Sequence, residues 1–289
     1  MVESSAPSLT AEATSRSIRV NGLRVRYHEA GSGPPVLLLH GGGPGAGGWS
    51  NFSGNVAALA RCFRTIVPDA PGFGQSESRD LSAGLFTTMA DSLRGLLDEL
   101  RIDKASLVGN SMGGGAAIKF AMEHPDRVDK LVLMAPGGLL ASLSVMPSEG
   151  LKILFGFYTQ KPTAERLHSF LSCMVYDVGS LTPELLAERL ASASDPAVLA
   201  NPPFRPGAPP PIEELWRDQR FAGLAHPVLL LWGRDDRTLP LDCAFTALKQ
   251  LQNSRLHVFS RCGHWVQWER RNAFNRLVVD FLSGSGTDF

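Results

Sequence analysis

Six short apolar runs, separated by longer segments of helical period, constrain this chain more than any other feature. Residues 35–39, 65–67, 105–108, 130–134, 228–232 and 256–259 are almost continuously hydrophobic. Strands buried on both faces read this way, as they do in a parallel sheet covered by helices. Between the runs, Leu85, Met89, Leu93, Leu96, Leu97 and Leu100 recur at helical spacing, and Phe274, Leu277, Val278, Phe281 and Leu282 do the same near the C-terminus. The alternation predicts an α/β fold with a mostly parallel, doubly wound sheet. At 289 residues and 44% hydrophobic content the chain can bury such a core. Enzymes of this length often form one core with an insertion.

The alternation breaks once. Residues 137–226 carry no convincing strand pattern. Leu167, Phe170, Leu171, Met174 and Val175 form one apolar helical face. Thr182 followed by Pro183 reads as an N-cap and first helical position. Seven prolines between Pro196 and Pro211 forbid continuous helix there. The expected organisation is a flexible tail over 1–16, a core over 17–136 and 227–289, and a helical lid over 137–226.

Charge and cysteine usage narrow the function. A formal net charge of +0 provides no electrostatic reason to seek nucleic acid or an anionic membrane. The four cysteines, Cys62, Cys173, Cys243 and Cys262, lack C-x-x-C spacing and read as reduced thiols of a cytoplasmic protein. The seven histidines show no metal-binding spacing, so neither a metal nor another cofactor is expected. The first residues lack the basic and apolar regions of a signal peptide, and no apolar run is long enough to span a membrane.

The strongest chemical signal is Gly109-Asn110-Ser111-Met112-Gly113, which matches G-x-S-x-G between a predicted strand and a predicted helix. A serine on that turn has an exposed hydroxyl and lies at a helix N-terminus, where developing negative charge is favoured. Serine needs a base. His264 follows the last predicted strand, and Asp235 and Asp236 follow the strand before it. The order Ser, Asp, His and the common position beyond strand C-termini bring these groups to one sheet edge. Spacing alone leaves Asp235 and Asp236 as alternatives. The loop His40-Gly41-Gly42-Gly43-Pro44 can present backbone N–H groups, with that of Met112, to an oxyanion. Asp69, in a turn-forming segment, reads as structural. Arg189 shares a helical face with Leu186, Leu190 and Ala193. A guanidinium on such a stripe snorkels to water or meets an anion, and snorkelling is the commoner outcome.

Taken together, the motifs resemble the meta-cleavage-product hydrolases, carbon–carbon bond hydrolases of the α/β-hydrolase fold from bacterial aromatic and steroid catabolism. The likeness runs from about Ser15 to Leu282. It is sharpest in the loop from His40 to Asn51, in the segment from Gly109 to Gly115, in Gly233-Arg-Asp-Asp-Arg237 with Pro240-Leu-Asp242, and in Cys262-Gly-His-Trp-Val-Gln-Trp268. The resemblance implies Ser111, Asp236 and His264 as catalytic triad and the amides of Gly42 and Met112 as oxyanion hole. It also implies a dienoate subsite of Gly41, Asn51, Asn110, Arg189 and Trp265, in which Arg189 pairs with the substrate carboxylate. Met174 is expected near the apolar subsite. The implied partner is a small dienoate and the implied assembly a homo-oligomer. The proline-rich stretch departs from the family's usual lid sequence and leaves the C6 substituent open among phenyl, alkyl and steroid-derived groups. A carboxylesterase or thioesterase, or a ligand-binding receptor on the same scaffold, are the alternatives.

Overall fold

The computed structural model describes residues 9–204, 211 and 213–284. Its frame is an eight-stranded sheet: β1 (Ser15–Val20), β2 (Leu23–Ala30), β3 (Pro35–Leu39), β4 (Arg64–Pro68), β5 (Ala105–Asn110), β6 (Val128–Met134), β7 (Val228–Gly233) and β8 (Ser254–Phe259). The spatial order is β1-β2-β4-β3-β5-β6-β7-β8. From β4 to β8 every pairing is parallel, and β2 lies antiparallel to both β1 and β4. β5 and β7 are buried at every position, as their unbroken apolar sequences require. Helices cover both faces. Leu85–Glu99 and Met112–Glu123 pack into one core cluster, and Gly48–Leu59 and Arg271–Ser283 into a second.

The six predicted strands are present, each within two residues of its expected bounds. The structure adds β1 and β2, which the search for unbroken apolar runs passed over. They mix buried and exposed positions, with Arg16, Arg19 and Arg24 exposed and Val20, Val25 and Tyr27 buried. Their turn is Asn21-Gly22 with φ of 51° and 83°, and Val20 faces Leu23 across it. Such a turn needs left-handed backbone at both positions, which Asn and Gly accept most readily.

The expected tail is corrected at its C-terminal part. Residues 1–8 lie outside the described residues, but Ala11–Thr14 is a short helix and β1 begins at Ser15. The Thr10 hydroxyl caps that helix through the Ala13 N–H, and Thr14 Oγ1 lies 2.9 Å from Nδ1 of the buried His28. These contacts tie the segment to β2.

Between β6 and β7 every described element is helical. The longer ones are Glu149–Gly156, Ala164–Met174 and Pro183–Ala193. Thr163 and Thr182 cap the second and third, and Pro183 occupies the first helical position as expected. Within the proline-rich stretch, Pro196–Ala200 is a short helix begun by its proline and capped by Asp195. Residues 205–210 and 212 of that stretch lie outside the described residues. Beyond it the chain returns to the core. Glu213 accepts hydrogen bonds from the N–H groups of Phe86 and Thr87 at the start of helix Leu85–Glu99, and Phe221 is buried in the main core cluster.

Candidate active site

Ser111 stands between β5 and the helix Met112–Glu123 with φ of 53° and ψ of −116°. A non-glycine residue in this backbone region is strained, and such strain gathers at functional sites. Neighbouring bonds hold it: the Ser111 N–H donates to Met134 O at 2.9 Å, and Ser111 O accepts from Gly115 and Gly137. The turn is so tight that a Cβ on Gly113 would stand 2.2 Å from Leu39 O. That position excludes any residue but glycine. Met112 opens the helix, so its N–H has no partner within it. The Met112 sulfur lies against Gly42.

His264 and Asp236 are both buried, and His264 Nδ1 lies 2.7 Å from Asp236 Oδ2. The other carboxylate oxygen, Oδ1, accepts from the N–H groups of Thr238 at 2.7 Å and Leu239 at 2.9 Å. Backbone donors thus satisfy Oδ1 and leave Oδ2 to accept from the Nδ1 side of the His264 ring. His264 Nε2 is buried without a hydrogen-bond partner among the described residues. Asp235 takes no part: its N–H donates to Cys262 O, and its partly exposed carboxylate meets Arg234 at 3.4 Å.

One cavity collects Ser111, His264, Gly41, Gly42, Gly43, Asn51, Asn110, Arg189 and Trp265. Asn110 is completely buried and donates through Nδ2 to the carbonyls of Met134 and His264, while its Oδ1 has no described partner. Arg189 is also buried, at 1% exposure. Its nearest partners are neutral: Pro44 O at 3.3 Å and Asn51 Oδ1 at 3.4 Å. The guanidinium sits 4.9 Å from the Trp265 ring centroid, a cation–π contact. Its Nε is unpartnered, and no carboxylate pairs with it among the described residues. Burial lowers its pKa to about 10, which leaves it charged at neutral pH. A buried cation without a counter-ion is costly, so the cavity is predisposed to receive an anion.

His40 and Asp69 support the loop. His40 Nδ1 lies 2.8 Å from Gly41 O, and Nε2 accepts from Ala70 N–H at 2.9 Å. Burial lowers its pKa, so the ring is neutral and serves as a strut. Asp69 accepts from the N–H groups of Gly48 and Gln75, the structural role expected of it. Burial also raises the thiol pKa of Cys173, Cys243 and Cys262, which makes them poor nucleophiles. Among the described residues no cluster of His, Cys, Asp and Glu could hold a metal, and no helix is long and apolar enough to cross a membrane.

Residues 34–271 match the family model for the alpha/beta hydrolase fold. The chain is 43% identical over 284 residues to a 2-hydroxy-6-oxo-6-phenylhexa-2,4-dienoate hydrolase of Burkholderia cepacia, covering 95% of this chain and 98% of that protein. It is 41% identical, with the same coverage, to a 2-hydroxy-6-oxononadienedioate/2-hydroxy-6-oxononatrienedioate hydrolase of Comamonas testosteroni. Among solved structures, a meta-cleavage product hydrolase from Pseudomonas fluorescens superposes with a TM-score of 0.82 at 32% identity, over 94% of this chain and 98% of that one. This chain belongs to the meta-cleavage-product hydrolases of the α/β-hydrolase fold.

The cavity of this family member brings together Ser111, His264, Gly42 and the five residues expected to form the dienoate subsite, and Asp236 adjoins it through His264. Met112, whose proposed part is its amide, adjoins it through Gly42. The structure decides between Asp235 and Asp236 in favour of the second as partner of His264. Leu154, Phe170 and Thr238 also line the cavity, with Met174. Sequence reasoning placed Phe170 on the right helical face without assigning it to the site, and passed over Leu154 and Thr238. Phe170 lies against Gly43, where a Cβ would come within 2.7 Å of its ring. The only prior signal was its spacing from Met174, i and i+4 on one helix.

Proposed function

We propose that this enzyme hydrolyses the carbon–carbon bond next to the 6-oxo group of 2-hydroxy-6-oxohexa-2,4-dienoates, with Ser111 as nucleophile, His264 as base and Asp236 as the acid that orients it. Arg189 carries this reading. A buried guanidinium with no carboxylate paired to it among the described residues, in the cavity of Ser111 and His264, suits a substrate with a carboxylate, and a simple esterase of neutral esters has no use for it. The names of the relatives point the same way.

The chemistry follows from the parts. The substrate carboxylate pairs with Arg189, and Asn51, Asn110 and Trp265 flank the dienol end. His264 moves the 2-hydroxyl proton to C5, which makes the substrate a ketone at C2. It then takes the Ser111 proton as Oγ attacks C6, and the amides of Gly42 and Met112 hold the oxyanion. The C5–C6 bond breaks, and its electron pair passes through the conjugated chain to the C2 oxygen. That oxygen takes the proton back from His264 to give 2-hydroxypenta-2,4-dienoate. Water activated by the same histidine releases the acyl group from Ser111 as a carboxylic acid. The helical insertion acts as a lid that contributes Leu154, Phe170, Met174 and Arg189.

The test is turnover of a yellow 6-substituted dienoate, followed by loss of its absorbance and by identification of the two acids formed. Cleavage of esters and thioesters without cleavage of the dienoate would establish the esterase reading. Tight dienoate binding without turnover would establish the receptor reading.

A further inference from the structure

The short helix Val266–Glu269 begins two residues after His264. Its last residue, Glu269, is partly buried and accepts three backbone hydrogen bonds. Oε2 takes the N–H of Gly263, directly before His264, at 2.6 Å. Oε1 takes the N–H groups of Tyr176 at 2.8 Å and Asp177 at 2.9 Å. These two residues lie just beyond the helix Ala164–Met174, which brings Phe170 and Met174 to the cavity. One carboxylate thus joins the His264 loop to the insertion.

The two segments touch around this bridge. A Cβ on Gly263 would stand 2.8 Å from Met174 O and 2.8 Å from the Val175 carbonyl carbon, so only glycine fits beneath the crossing chain. The Trp265 N–H donates to Met174 O at 3.0 Å, and Trp268 Nε1 donates to Ser180 O at 3.3 Å. Arg270 holds the loop from its other end, donating to Ser260 O and Arg261 O. The Trp268 side chain ties down the insertion and that of Arg270 the loop, whereas Glu269 ties both. A carboxylate suits the task because each of its oxygens accepts, and it accepts more strongly than a neutral group.

We infer that Glu269 is a positioning residue: its carboxylate sets the His264 loop and the end of helix Ala164–Met174 against each other. The base and the Phe170–Met174 wall of the cavity then keep one relative placement. The inference rests on the proposed role of His264. The His264 ring is bonded at Nδ1 to Asp236, so the direction of Nε2 depends on the backbone of its loop. A shift of ~1 Å in a catalytic group can cost on the order of a hundredfold in rate.

The experiment combines two variants with one measurement on the wild-type enzyme. Glu269→Gln keeps the length but has a single acceptor oxygen, and its amide NH2 would face an N–H. Glu269→Asp keeps the charge but is one methylene too short to reach both segments. Each should lower kcat about tenfold for a dienoate and for a neutral ester alike, well below its unfolding temperature, since both reactions use His264. The dissociation constant of the dienoate, measured in the Ser111→Ala background, should stay within about threefold because Arg189 is untouched. In the wild-type enzyme the amides of Tyr176 and Asp177 should exchange within about tenfold of the rate of Gly263, although both residues are exposed.

Full kcat in either variant overturns the inference, since charge alone or length alone would then suffice. Lower thermal stability with kcat unchanged overturns it too, because it marks a merely structural residue. Free exchange at Tyr176 and Asp177 overturns it without any variant. An inactive His264→Ala enzyme beside fully active Glu269 variants removes the inference and leaves the proposed function standing. A His264→Ala enzyme that still turns over both substrates overturns the proposed base and this inference with it.

Discussion

The two sides of the cavity are held in different ways. On the sheet side the Asp236 carboxyl and the Ser111 backbone are tightly paired. Asp236 accepts three short bonds, two from backbone and one from His264, and Ser111 is fixed by bonds from both of its backbone groups. On the side of the helical insertion, Arg189 has two bonds of 3.3 and 3.4 Å to neutral oxygens and an unpartnered Nε. Both regions are buried, so exposure does not separate them. On the sheet side Asp236 and the Ser111 backbone complete their hydrogen bonding within the protein, while His264 Nε2 and Asn110 Oδ1 stay without a described partner. The insertion leaves Arg189 Nε without a described partner, as the proposed carboxylate site requires.

The largest effect tests the sheet side. Ser111→Ala should lower kcat for the dienoate by on the order of a thousandfold or more while leaving its dissociation constant within a few fold. Near-normal turnover in this variant would remove the covalent serine step. Asp236→Asn comes next, with a loss on the order of a hundredfold to ten-thousandfold, because an amide can hold His264 in the wrong tautomer. Asp235→Asn, beside it, should change kcat by less than about threefold, since among the described residues its carboxylate meets only Arg234. Equal losses in the two variants would break the assignment.

A smaller and more selective effect is expected on the insertion side. Arg189→Ala should cost about 2–5 kcal/mol in kcat/KM for a dienoate and little for a neutral p-nitrophenyl ester. Arg189→Lys should recover part of this, because an ammonium lacks the planar fork. An equal loss on both substrates would mean that Arg189 merely supports the insertion. The smallest effect belongs to the cap of its helix. Thr182 accepts the Leu185 N–H at 3.2 Å, so Thr182→Ala should cost about 1 kcal/mol locally. Amide exchange within Pro183–Ala193 should then quicken about fivefold, with exchange in β5 and β7 unchanged. Faster exchange in the strands as well would show the two regions to be one cooperative unit.

Much of this protein was legible before its structure, because the relevant signals are local. Unbroken apolar runs mark β3 to β8, and the serine turn is set by a strand, glycines and a helix that are adjacent in the chain. Asn21-Gly22 was equally local and was missed only because β1 and β2 mix polar with apolar residues instead of running continuously apolar. Other features depended on tertiary contacts. Asp235 and Asp236 are identical in type and adjacent, and what separates them is the bond from Asp235 N–H to Cys262 O and the direction of the next side chain toward His264. Leu154 and Thr238 are distant in sequence and meet at the cavity only when the insertion folds over the sheet edge. Helical spacing put Arg189 on an apolar stripe, where a guanidinium can reach water or lie buried. The choice between these was made by Pro44, Asn51 and Trp265, more than a hundred residues before it and 76 after it, because burial belongs to what packs over a side chain and not to its place on the helix.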